Sequence, residues 1–113
     1  MAIKESVSDG IAVLALKGKL MGGPDPLALH DRVHGLIGDG IKQVVVDLGN
    51  VKWLNSSGLG ALMASLTTLR NAGGDLKLAK VGKKIESLLL ITKLISVFEI
   101  YDSVDRAAAS FGK

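Results

Sequence analysis

Cysteine is absent from this 113-residue chain, and aromatic residues make up only 4% of it. Without cysteine, neither a disulfide framework nor a thiolate metal site can form. The longest strongly apolar stretch, residues 88–98, contains Thr92, Lys93 and Ser96, and it is shorter than the roughly 18 apolar residues of a membrane-spanning helix. The first ten residues lack the apolar run of a secretory signal. We therefore expect one cytoplasmic domain, residues 1–113, with no membrane span.

The composition indicates an aliphatic core and a weakly basic surface. Hydrophobic residues account for 48% of the chain, so leucine, isoleucine, valine and alanine must fill the interior. The net charge of +3 would suit a nucleic-acid partner. However, the basic cluster of Lys80, Lys83 and Lys84 has no interleaved aromatic residues on which bases could stack. We interpret this cluster as a solvated turn and expect no nucleic-acid partner.

Strand patterns and helix patterns alternate along the chain. Residues 3–7 and 11–18 are predicted to form a hairpin at the turn signal Asp9-Gly10, and the second strand has the pattern of one covered on both faces. The other predicted elements are a helix that starts at Pro24 and Pro26 and ends at Gly38 and Gly40, a central β-branched strand over residues 42–50, a helix from Ser57 that stops within 71–74, a strand of alternating polarity over 75–81, a helix around 85–92, a strand over 97–101 and a helix over 104–111.

This order, β-β-α-β-α-β-α-β-α, predicts an α/β fold. We expect a mixed, mostly parallel sheet of about 4–5 strands carrying about four helices through right-handed crossovers. In open α/β sheets, binding sites collect where the carboxyl ends of strands meet the starts of helices. The segment WLNSSGLG, residues 53–60, occupies such a place.

Three catalytic interpretations of this sequence are weak. A serine nucleophile elbow requires G-x-S-x-G, but Leu54 and Asn55 precede the serines. His30 and His34 share a helix face at i, i+4, yet they lack an H-E-x-x-H context, so we interpret them as a solvated face and expect no metal.

A nucleotide site is the third of these interpretations. Gly58 and Gly60 follow a strand and open a helix, as in a dinucleotide fingerprint, but Met63 stands where the third glycine belongs. We interpret both glycines as positions where the helix packs closely on the sheet. The chain also has no G-x-x-x-x-G-K-[ST] motif. We therefore expect no catalytic residue, no cofactor and no enzyme activity.

Two explanations remain for Ser56 and Ser57 at a helix start. Together with Asn55 they can form a helix cap, because serine and asparagine oxygens accept hydrogen bonds from the first free amides of a helix. Alternatively, another protein modifies them, since a phosphate at a helix N-terminus faces free amides and the positive end of the dipole. Such a modification changes the surface without unfolding the domain.

Four segments together resemble the STAS domain, the module shared by anti-sigma factor antagonists and the tails of sulfate transporters. They are LKGKL, VVVDLGNVKWLNSSGLGALM, NAGGDLKLAKV and LLITKLISVFEIYDS. The resemblance covers essentially the whole chain. It implies a single STAS-like α/β domain.

The resemblance also implies a regulatory function. In the antagonists the central motif is Asp-Ser-Ser/Thr-Gly, and the serine after the Asp accepts phosphate from an anti-sigma factor that acts as a serine kinase-like ATPase. That serine corresponds to Ser56, while Asn55 replaces the Asp. The unphosphorylated protein is then expected to bind the anti-sigma factor and release a sigma factor, phosphorylation ends the binding, and a phosphatase resets it. The implied partner-binding residues are Asn55, Ser56, Ser57, Gly58, Leu59 and Met63.

Two alternatives stay open from the sequence. A STAS domain can also be an accessory subunit of a transporter or a scaffold of a stress-signalling assembly. Separately, residues 88–95 hold more aliphatic surface than one helix face usually buries. We expect most of that surface to belong to the core, with a homodimer as the alternative.

Overall fold

The computed structural model describes residues 2–20 and 24–112 and confirms the expected order of elements. Its elements are β1 (Ala2–Ser8), β2 (Ile11–Leu20), α1 (Pro24–Gly38), β3 (Gln43–Leu54), α2 (Ser56–Asn71), β4 (Asp75–Ala79), α3 (Lys83–Ile91), a 3₁₀ turn (Leu94–Ser96), β5 (Glu99–Tyr101) and α4 (Val104–Ser110). No helix in these two ranges combines the length and apolar character that crossing a bilayer requires.

The described elements form one five-stranded sheet of order β1-β2-β3-β4-β5. The β1–β2 pair is antiparallel and the other three pairs are parallel, as expected for a mixed, mostly parallel sheet. The hairpin turns at Asp9 and Gly10, whose φ angles are 55° and 78°. Two consecutive positive φ angles match the type I′ turn that suits the twist of a hairpin.

The sheet separates a large core from a small one. The large core lies between one face of the sheet and α1, α2 and α3, and it contains Leu29, Leu62 and Leu89 from these helices. On the opposite face α4 covers Val45 and Ala79 with Ala107. Because Val44, Val45 and Val46 are all fully buried, β3 is the central strand that its β-branched sequence predicts.

Two strands differ from the sequence expectation. In β2, Ile11 and Val13 face away from the large core and are half-buried against the small core beside α4. The second face of β2 is therefore covered only in part. In addition, β3 continues past residue 50 to Leu54, where it pairs with the end of β2 across two register shifts. This extension carries the backbone directly to the start of α2.

Lys77, one of the polar residues of the alternating strand β4, is buried. Its Nζ donates to Ser110 Oγ at 2.6 Å and lies 3.6 Å from Glu99 Oε1. The same ammonium lies 4.3 Å from the centroid of the Phe111 ring. A cation with a hydroxyl, a carboxylate and an aromatic face around it can remain charged while buried. Lys77 thus fastens α4 to the sheet.

We expect Lys77→Ala to destabilise the protein by about 2 kcal/mol, because it removes the packed alkyl stem and the contact with Phe111. Lys77→Met keeps most of the stem, so its cost should be less than half as large. Urea unfolding of both variants measures the difference. Equal losses for the two variants would show that the charge, and not the stem, holds α4.

Candidate functional site

The site lies at the carboxyl end of β3, where Asn55 joins the strand to α2. Asn55 is the N-cap residue of α2, with extended backbone angles of φ −103° and ψ −172°. Its side-chain Oδ1 accepts a hydrogen bond of 3.0 Å from the amide of Gly58, and its backbone oxygen accepts one of 2.9 Å from Leu59. The first of these bonds pairs a free amide of the first turn, and the second is the first regular hydrogen bond of α2.

Ser56 and Ser57 are the first two residues of α2, and both are exposed. Of the candidate capping residues, Asn55 makes the capping bond, so capping does not account for the two serines. Their hydroxyls are left at the positive end of the helix dipole, and the first turn contains no acidic residue. A second protein can therefore reach either hydroxyl without opening the fold.

The other expected partner-binding residues are less accessible. Gly58 is buried, Leu59 retains 5% of its exposure in the large core, and Met63 is half-buried against that core. The Leu59 side chain therefore packs inward and offers little surface to a partner. Its packing, together with that of Leu62, holds the first turn of α2 in place.

The exposed face of α2 includes residues that the sequence interpretation missed. Gly60 is exposed, and a Cβ built there meets nothing within 4 Å. The interpretation of Gly60 as a close-packing position was therefore wrong. Ala64 is also exposed on α2. Ser56, Gly60 and Ala64 follow at i, i+4 and i+8, so this spacing of small residues was the available signal. A partner can approach the backbone of α2 closely along this face.

We expect Asn55→Ala to lower the free energy of unfolding by about 1 kcal/mol, because the cap of α2 is lost. Asn55→Asp keeps an acceptor oxygen and adds a negative charge at the helix N-terminus, so its stability should match or exceed that of the wild type. Thermal unfolding of the two variants tests this. An aspartate variant as unstable as the alanine variant would contradict the assigned capping bond.

The two histidines lie away from this site on α1. Their Nε2 atoms are 3.2 Å apart, and the rings meet edge to face. His34 is exposed and His30 is half-buried. Within residues 2–20 and 24–112, no group of three or more His, Asp or Glu side chains is placed to hold a metal ion.

Comparison with protein families identifies the domain. The family model of the STAS domain matches residues 2–107. The chain belongs to the STAS domain family. A Bordetella bronchiseptica protein named as an anti-sigma factor antagonist, BtrV, is 26% identical to this STAS chain over 103 residues, which cover 91% of the chain and 88% of BtrV.

Solved structures show the same fold at lower identity. The crystal structure of a Thermotoga maritima protein described as an anti-sigma factor antagonist superimposes with a TM-score of 0.89 at 20% identity, covering 98% of this STAS chain and 95% of the other. The Bacillus cell fate determinant SpoIIAA, in its phosphorylated form, gives a TM-score of 0.76 at 15% identity, with coverages of 97% and 99%. Their agreement with the present sheet order and helix placement establishes the STAS fold.

Proposed function

We propose that this STAS domain is a non-catalytic anti-sigma factor antagonist of the cytoplasm, regulated by phosphorylation of Ser56. In the unphosphorylated state it binds an anti-sigma factor through the N-terminal half of α2, and a sigma factor is released. The anti-sigma factor, acting as a serine kinase-like ATPase, transfers phosphate to Ser56 and ends the binding. A phosphatase then restores the binding state.

The exposed hydroxyl of Ser56 is the observation that carries this proposal. Ser56 occupies the position of the phosphorylated serine in the motif of the family, and Asn55 caps the helix without using the serine oxygen. The relative BtrV is named for the antagonist function, and SpoIIAA was solved in a phosphorylated form. These observations support Ser56 as the acceptor residue of this chain.

The local geometry also supports a switch that changes binding and leaves folding intact. A phosphoserine carries a charge of about −1.5 to −2, which is favourable beside the free amides of a helix N-terminus. The same charge has to be desolvated if a partner covers Ser56, and it repels any carboxylate there. Phosphorylation should therefore separate the partners while α2 stays folded.

The direct test is a phosphotransfer assay. The protein is incubated with ATP and the kinase-like anti-sigma factor encoded beside its gene, and mass spectrometry locates the phosphate. We expect phosphate on Ser56 in the wild type and in Ser57→Ala, and none in Ser56→Ala. Ser57 is the matched control because it is the neighbouring exposed serine on the same helix turn. Phosphate on Ser57, or none at all, would refute the assignment.

A further inference from the structure

A second surface feature lies beside the switch. A groove of about 390 Å³ separates the end of β3 from α3, and its walls are Trp53, Lys84, Ser87, Leu88 and Ile91. Trp53 stands three residues before Ser56, so the groove borders the candidate site. On α3, Lys84, Ser87, Leu88 and Ile91 recur at helical spacing and form one continuous face.

The apolar walls of this groove are exposed to solvent. Ile91 retains 79% of its exposure and Trp53 retains 40%. Leu90, which is 56% exposed, does not line the groove, whereas Leu89 is fully buried in the core. The aliphatic stretch 88–95 therefore belongs to the core only in part, and Ile91 and Trp53 form a contiguous apolar surface of the kind that marks an interaction site.

The charges around the groove are basic. Lys84 lines it, and none of the described lining residues carries a carboxylate. Lys83 is exposed next to Lys84, and the exposed carboxylate of the same helix, Glu86, does not line the groove. An occupant that covers the apolar walls therefore meets the ammonium group of Lys84 at their margin. Carboxylate groups on the occupant complement this rim.

We propose that the groove between Trp53 and α3 binds an aliphatic, acidic segment of the anti-sigma factor. This inference rests on the proposed function for the identity of the partner, but its chemistry follows from the groove alone. Aliphatic side chains of the segment cover Ile91, Leu88 and Trp53, and its carboxylates pair with Lys84. The groove anchors the partner next to Ser56, so that one docked molecule covers both surfaces.

The basic rim also argues against a second copy of this chain as the occupant. A second copy docked symmetrically on the groove would have to bring carboxylates to Lys84, and none of the described residues that line the groove carries one. The chain as a whole is also basic, with a net charge of +3. An acidic partner is therefore the better match.

Trp53 supplies the readout because it is the sole tryptophan. Two synthetic peptides share the same leucine and isoleucine anchors, and one carries glutamates where the other carries lysines. We expect the glutamate peptide to shift Trp53 emission to shorter wavelength with saturation, and to bind at least about tenfold more tightly than the lysine peptide. Its affinity should fall as salt is added.

Ile91 and Leu90 provide a matched pair of variants, because they are adjacent exposed residues of α3 and only Ile91 lines the groove. We expect Ile91→Ala to weaken the glutamate peptide about tenfold, and Leu90→Ala to change its affinity less than about twofold. The same ratio is expected when the anti-sigma factor replaces the peptide.

Several results would overturn the proposal. They are the absence of any Trp53 shift, equal binding of the two peptides, equal losses for Ile91→Ala and Leu90→Ala, or a shift that depends on protein concentration alone, which would indicate a second copy. If the anti-sigma factor binds wild type and Ile91→Ala equally, the groove proposal fails while the proposed function stands. If the anti-sigma factor does not bind the wild type, the proposed function fails, and with it the partner identity assigned to the groove.

Discussion

Replacement of Ser56 by aspartate is expected to weaken binding to the anti-sigma factor about a hundredfold or more while the fold remains intact. The exposed hydroxyl lies at the first position of α2, so a partner that covers it must desolvate the new carboxylate. An uncompensated charge at an interface costs about 2–5 kcal/mol, and a hundredfold loss corresponds to about 2.7 kcal/mol. Isothermal titration calorimetry with the anti-sigma factor measures the loss.

The stability of the same variant separates a lost contact from a damaged fold. Aspartate at the start of a helix interacts favourably with the dipole, so the free energy of unfolding should rise by a few tenths of a kcal/mol up to about 1 kcal/mol. Ser56→Asp is therefore expected to bind the anti-sigma factor more weakly and to have a higher free energy of unfolding than the wild type. A variant that loses both binding and stability would show that Ser56 has a structural role instead.

Thr67→Asp is the matched control. Thr67 is exposed on α2, 11 residues after Ser56, which places it about 16 Å further along the helix. The change in charge is similar, but the position lies outside the proposed surface, so affinity should change less than about twofold. If Thr67→Asp loses as much affinity as Ser56→Asp, net charge and not the position of the serine controls binding.

The order of elements was predictable because each element had a local signal. Periodic leucines marked α1 and α2, and Asp9-Gly10 marked the hairpin, so the mixed sheet followed from the alternation of strands and helices. The extension of β3 was not predictable. Gly49 and Asn50 have the composition of a turn, and only pairing with the end of β2 keeps residues 50–54 extended. Such non-local pairing leaves no periodic signal in a short stretch of sequence.

In the candidate site, too, one part of the structure was predictable from the sequence and another part was not. The position of the two serines at a helix start was visible in the sequence, since a polar triplet precedes a periodic apolar run. Which residue of that triplet caps the helix depends on where the first turn begins, and the structure gives this role to Asn55. Leu59 belongs to the periodic apolar stripe of α2, which predicts its burial, whereas the burial of Lys77 depends on what packs above β4, which the pattern of a single strand does not contain.

The turn after α2 holds two adjacent glycines that serve different physical purposes. The amide of Gly73 donates to Arg70 O at 3.1 Å and the amide of Gly74 donates to Leu69 O at 2.8 Å, which is the Schellman pattern of a helix end. Gly73 has a φ of 89°, in the region that favours glycine. A Cβ on Gly74 would overlap the backbone carbonyl oxygen of Lys42, at the entrance to β3.

We expect Gly74→Ala to lower the free energy of unfolding by about 3 kcal/mol or more, because the obstructing atom is backbone and cannot rotate away. Gly73→Ala should cost about 1–2 kcal/mol, since its Cβ meets no atom within 4 Å and the loss is conformational strain alone. Urea unfolding of both variants gives the comparison. Backbone angles alone rank Gly73 as the more sensitive position, so a larger loss for Gly73→Ala would show that the contact between Gly74 and Lys42 relaxes easily. A larger loss for Gly74→Ala, which we expect, means that the close approach of Gly74 to Lys42 fixes the carboxyl end of α2 against the sheet.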